Sequence, residues 1–337
     1  MNLFKIDLST SLLISVCFLI LINNKVHAQN LRDACLLEAI KNAEEELTTT
    51  QIKEKCDRIK KRKIKTGAIS NRLISERIAA FDPYVITPHK MNYILPFSMS
   101  NRINKEAYAY DNFDNWEDNL EDFEAKFQLS IKVPLNKNDI FIEGDSLHFG
   151  FTLQSWWQLY SNNISKPFRE TNYQPEIFYV APLNWHPLGS NTGFSIGAEH
   201  QSNGRSQPLS RSWNRVYVNF LLEKDNFALS FKPWIRLKEK EKESYLDSDG
   251  DDNPDISEYM GHFELGIAHK WSKYVLSFEG RHNFSHHKGG MELSFTFPLW
   301  GKLRGYAQYT AGYGESLIDY NHSQQRFGLG IALTNLL

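Results

Sequence analysis

The 337-residue chain has almost no net charge and few cysteines, and beyond residue 28 it has no long apolar run. Its 38 Lys and Arg against 40 Asp and Glu leave a formal charge of -2. That balance lacks the basic surplus that marks a nucleic-acid partner, and the one basic cluster, "KKRKIK" at 60-65, reads as a solvated helix face. No later stretch approaches the roughly 18 apolar residues of a spanning helix, which excludes helical spans in the mature chain but not spanning strands. Of three cysteines, Cys17 lies in the leader described next, so Cys35 and Cys56 remain for a single expected disulfide.

What is present begins with Lys5, the apolar run "SLLISVCFLILI" at 11-22 and "NNKVHA", whose Val26 and Ala28 suit signal peptidase. Residues 1-28 are therefore expected to be an export signal; twelve apolar residues are too few to anchor, since a span needs about 20. Residues 29-90 are expected to form a periplasmic helical extension and linker. Leu36, Ile40, Ala43 and Leu47 follow helical spacing, "TTT" at 48-50 breaks it, and Ile52, Cys56 and Ile59 resume it.

From about residue 91 to 337 the period becomes two. Phe123, Ala125, Phe127, Leu129, Ile131 and Val133 alternate with Glu124, Lys126, Gln128, Ser130 and Lys132, and Met291 to Leu299 repeat the pattern. A sandwich would also alternate. Other features favour a 12-stranded antiparallel transmembrane β-barrel, an all-β fold. Strand-like runs fall near 92-100, 122-135, 146-158, 172-183, 191-202, 213-223, 226-238, 258-271, 273-283, 289-299, 303-313 and 325-337, most of spanning length. Trp213, Trp234, Trp271 and Trp300 sit near run ends, as interfacial aromatics do, and short connections alternate with long ones. The last run ends in Leu337, where outer-membrane barrels usually carry Phe. With both termini periplasmic, the loops after odd-numbered strands face outward.

Strand parity then picks out "EHQSNGRSQPLSRSWNRVYV" at 199-218. Phe194, Ile196 and Ala198 are the apolar face of one strand, and the same parity reaches His200 and Ser202. Val216, Val218 and Phe220 mark the next strand's apolar face, and parity reaches back to Asn214. Three polar residues converging on a lipid-facing wall are costly, although headgroup level would tolerate each alone. The chemical reading is nucleophilic catalysis, with His200 as the base that a Ser202 hydroxyl needs and Asn214 as the orienting group.

That hairpin, with "SWWQL" at 155-159, "KPFRETNYQPEIF" at 166-178, "DDNPDISEYMG" at 251-261 and "GYGESLIDYN" at 312-321, resembles the outer membrane phospholipase A family across nearly all of residues 90-337. The resemblance implies a calcium-dependent enzyme of the outer membrane of a Gram-negative bacterium, active as a homodimer, that hydrolyses sn-1 and sn-2 acyl esters of phospholipids on the outer-leaflet side. By motif it implies Ser202 as nucleophile, His200 as general base and Asn214 as its partner. It also implies calcium (Ca2+) ligands at Arg205 (through its carbonyl), Ser210 and Asp252, with Ser165 contributed across the dimer. Gln207 stands where the family has a further acidic calcium position.

Other motifs compete. "GFSIG" at 193-197 matches G-x-S-x-G, but Ser195 is expected mid-strand facing inward rather than on a strand-to-helix turn. "DSDGDDNPDISE" at 247-258 resembles an EF-hand loop, except that Asp252 stands where that loop needs Gly. His282, His286 and His287 could hold a metal, though loop histidines at a surface are commoner. The alternative function is a non-enzymatic outer-membrane barrel, a channel or adhesin, which alternation alone supports equally well.

Overall fold

A computed structural model describes residues 67-334 apart from 80-81, 83-84, 110-115, 245, 248 and 302, together with positions 48 and 50. The expected leader, the helical hairpin, Cys35, Cys56 and the 335-337 tail lie outside the described residues. Twelve strands follow the alternating runs: β1 (Tyr93–Ser100), β2 (Phe123–Pro134), β3 (Ser146–Trp157), β4 (Phe168–Leu183), β5 (Asn191–Ser202) and β6 (Ser212–Lys224). They continue with β7 (Phe227–Leu237), β8 (Phe263–Trp271), β9 (Tyr274–Asn283), β10 (Lys288–Pro298), β11 (Arg304–Tyr313) and β12 (Ser323–Ala332). Each pairs antiparallel with its chain neighbours, and β12 returns to β1 through Phe327↔Met99 and Leu329↔Phe97, so the sheet closes. Closure leaves no barrel strand with an open edge.

The pleat explains the composition. Along β2, Leu129, Ile131 and Val133 point outward and are exposed, while Lys126, Gln128, Ser130 and Lys132 are buried. An apolar exterior over a polar interior inverts a water-soluble protein and suits a barrel whose solvent is lipid. No described helix is long and apolar enough to cross a membrane; the spans are strands.

Ion pairs cross the interior beside a polar cavity of about 370 Å³ lined by Gln128, Glu176, Lys232 and Glu279. Arg169 binds Glu124 at 2.7 Å and Asp319 at 3.1 Å; Arg326 binds Glu124 at 2.8 Å and Glu315 at 3.0 Å; Lys126 binds Glu315 at 3.0 Å. Three cations thus meet three carboxylates, the arrangement a low-dielectric interior demands. The network ties β2, β4 and β12 to the loop after β11, whose Leu317, Ile318 and Tyr320 are buried.

Helix α1 (Ala68–Ala79) leads into the barrel. The Glu223 carboxylate at the end of β6 accepts hydrogen bonds from the α1 backbone N–H groups of Ile69 and Ser70, which have no partner within the helix. Arg72 reaches the carbonyls of Pro88 and His89, and Glu76 pairs with Lys132 of β2 at 2.8 Å.

Three expectations change. The run at 258-271 is strand only from Phe263; Ile256–Met260 form a short helix, α2, after Pro254, and Gly261 ends it at φ +70°. Ile256 and Met260 bury against Trp213 and Trp234. Strand β4 starts at Phe168 rather than near 172: its first buried residues, Arg169, Glu170 and Asn172, are polar, and a register shift opposite Trp156 and Trp157 interrupts the alternation. Trp213 and Trp234 are not interfacial: they are 0% and 5% exposed inside the barrel, with the Arg215 guanidinium stacked 3.8 Å from the Trp213 ring centroid. Their parity is that of the inward residues. Trp271 and Trp300 are exposed.

Candidate active site

The site is built by register. In the β5–β6 ladder His200 stands opposite Asn214 and Ser202 opposite Ser212, while Ile196 faces Val218. His200 and Asn214 therefore share the face of the exposed Ile196, Val216 and Phe220, and Glu199, Trp213 and Arg215 share the buried face. The placement follows from the side-chain period of two.

His200 Nδ1 lies 2.9 Å from Asn214 Oδ1. Ser202 is two residues from His200 on the same face, with Cα atoms about 6.8 Å apart at ~3.4 Å per strand residue. Among the described residues Ser202 Oγ makes no hydrogen bond to the imidazole; side-chain rotation is needed to close that step, as is common in ligand-free sites. Across β4, Tyr173 pairs with Ser202 and borders the site.

The hairpin loop is fixed by Asn203, which is 3% exposed. Its Oδ1 accepts from the N–H of Arg211 at 3.0 Å, and its Nδ2 donates to the Leu209 carbonyl at 2.8 Å. Gly204 turns the chain at φ +63°, with Tyr173 packed so close that an added Cβ would sit 3.3 Å from its ring. The Arg205 guanidinium donates to the carbonyls of Phe168 and Arg169, each at 2.8 Å, tying the loop to the start of β4.

The loop after β7 meets it. Ser210 Oγ donates to Asp252 Oδ2 at 2.6 Å and Gln207 Nε2 to Asp252 Oδ1 at 2.7 Å; Lys242 pairs with the same carboxylate. Burial opposes the charge of Asp252, but the bonds from Lys242, Ser210 and Gln207 outweigh it and hold the carboxyl below the usual carboxylate range. Gln207, Arg211, Lys242 and Asp252 line an open cleft between these loops.

The structure thus gathers His200 with Asn214, and Ser210 with Asp252. Ser165 is exposed on the separate loop between β3 and β4, unbonded to Arg205, Ser210 or Asp252 among the described residues. Ser195 is mid-strand and 7% exposed on the inner face, so G-x-S-x-G is accidental here. Among the described residues no three His, Cys, Asp or Glu side chains are gathered as metal ligands, and His282, His286 and His287 are no exception. Sequence reasoning missed Glu239, whose Oε1 accepts from Asn214 Nδ2 at 3.1 Å. Parity could have found it: Phe231, Ile235 and Leu237 are exposed on β7, and two residues further the same face carries Glu239.

The phospholipase A1 family profile matches residues 69-333. A Klebsiella pneumoniae phospholipase A1 is 38% identical over 274 residues, covering 80% of this chain and 90% of that protein. The Salmonella typhi outer membrane phospholipase dimer with bound calcium superposes with a TM-score of 0.70 at 36% identity, covering 79% of this chain and 98% of that one. An Escherichia coli outer membrane phospholipase A, an active-site variant with an asparagine changed to alanine, gives 0.71 at 37% identity over 80% of this chain and all of its own. With a closed barrel, an outward-facing His-Asn pair in register and likeness over nearly the whole length of these proteins, the chain belongs to the phospholipase A1 family.

Proposed function

We propose that the protein hydrolyses acyl ester bonds of membrane phospholipids through Ser202, His200 and Asn214, with the site on the outer-leaflet side. The observation that carries this reading is the His200–Asn214 hydrogen bond on the lipid-facing wall, two residues along β5 from Ser202. Asn214 Oδ1 can only accept, so the bonded Nδ1 carries its proton and Nε2 is left as the base. Ser202 Oγ attacks the acyl carbonyl while Nε2 takes its proton; collapse of the tetrahedral adduct expels the lysophospholipid alkoxide, which receives that proton. Water, deprotonated by the same nitrogen, then cleaves the acyl-enzyme to free fatty acid. Passive permeation gives no reason for a bonded His-Asn pair on the lipid-facing wall, which favours hydrolysis as the main role.

Calcium fits the donor chemistry near the nucleophile. The Arg205 carbonyl, the Ser210 hydroxyl and the Asp252 carboxylate are oxygen donors, with a Ser165 hydroxyl from a second copy, and calcium takes roughly 6-8 oxygens. Bound there, it would supply positive charge for an oxyanion, worth several kcal/mol of barrier. So few donors in one chain favour a site completed by dimerisation. The Asp252 carboxylate holds the Lys242 ammonium, a cation with which calcium would compete. The test is fatty-acid release from phospholipid in detergent micelles: calcium-supported release that chelation abolishes is expected, and no release under any calcium concentration would overturn the reading.

A further inference from the structure

Asn214 has an ambiguity that His200 alone does not resolve. Its amide presents an acceptor on one side and a donor on the other, and a flipped amide would aim N–H groups at the imidazole and select the wrong tautomer. Glu239 removes the ambiguity. Its carboxylate accepts from Asn214 Nδ2 at 3.1 Å, and an ionised carboxylate cannot donate, so the amide oxygen is turned to His200 Nδ1 at 2.9 Å. The register makes the contact possible: Asn214 pairs with Leu237 of β7, and Glu239 is the next residue on the outward face, half-buried just beyond the strand end.

We propose that Glu239 is a positioning residue for hydrolysis: it fixes the Asn214 amide and, through it, places negative charge behind the imidazolium that forms when Ser202 is deprotonated. The inference rests on the reading of Ser202, His200 and Asn214 given above. The surroundings leave this task to Glu239. The outward neighbours are Tyr173 of β4, Val216 of β6, and Ile235 and Leu237 of β7. The charged Glu199, Arg215 and Arg236 belong to the inward face. Lys238 and Lys240 flank Glu239 and are exposed. An asparagine, uncharged itself, thereby acts with a carboxylate one hydrogen bond further out.

Glu239→Ala and Glu239→Gln separate the two effects. Glutamine keeps an acceptor for Nδ2 but no charge; alanine keeps neither. Glu239→Ala should lower kcat about tenfold, the effect of one lost charge-assisted bond, and Glu239→Gln should lose less. In both, the acid limb of the kcat/KM pH profile should move to lower pH, by on the order of half a unit, because an imidazolium without its countercharge gives up its proton more readily. Unaltered kcat and an unmoved acid limb in both variants would overturn the proposal, as would a loss confined to KM. Ser202→Ala run alongside distinguishes the failures. If it is inactive while the Glu239 variants are normal, only this proposal falls; if it is active, the reading beneath falls.

Discussion

At the scale of single residues, the group was legible because a strand alternates with period two, so Ile196 and Val216 already state which way His200 and Asn214 point. Glu239 is harder to see because it lies past the last apolar residue of β7, in the charged run "KEKEKE", where only the parity carried on from Leu237 singles it out among several carboxylates. Ser202→Ala should lose on the order of 10^4-fold or more in hydrolysis, measured as fatty-acid release. Ser195→Ala, on the buried inner face, should stay near wild type. Asn214→Ala should fold normally and lose less than His200→Ala, since it removes the group that orients the base and not the base; equal, complete loss from both would show that Asn214 does more than orient.

At the scale of elements, twelve strands could be read because lipid outside and polar side chains inside give each strand a two-sided signature. Reading failed where an element served the interior. The α2 helix, the start of β4 and the inward Trp213 and Trp234 carry polarity or bulk set by the barrel interior, so the pattern alone reads α2 as strand, the start of β4 as loop and the two tryptophans as interfacial. The loop from 238 to 262 is the element where this chain's calcium behaviour is expected to be set. Lys242 Nζ donates to the Asp247 carbonyl at 2.7 Å and pairs with Asp252, a tethered cation on an expected ligand. Lys242→Ala should therefore tighten calcium binding, several-fold in Kd, because the ion no longer competes with an ammonium. Calorimetric titration of the purified barrel checks this, and an unchanged Kd would show that Asp252 takes no part in binding.

At the scale of the whole molecule, the ion-pair network and the outward loops set two further outcomes. Glu124 serves both Arg169 and Arg326, and Glu124→Leu leaves two buried guanidinium groups short of a partner. A cost of about 3-5 kcal/mol is expected for breaking such a pair, read as a lowered unfolding midpoint. With both termini periplasmic, as an even barrel allows, the β5–β6 loop is expected outside the cell, so a cysteine at Gln207 should react with an impermeant reagent on intact cells; reaction only after the outer membrane is breached would reverse the topology. The central claim is that a serine on the lipid-facing wall carries the acyl group during turnover. Rapid acid quench of the enzyme turning over phospholipid, followed by peptide mass spectrometry, tests it most directly. The account predicts one fatty-acyl mass on the peptide holding Ser202, absent in Ser202→Ala; an acyl group on another residue, or normal turnover by Ser202→Ala, would contradict it.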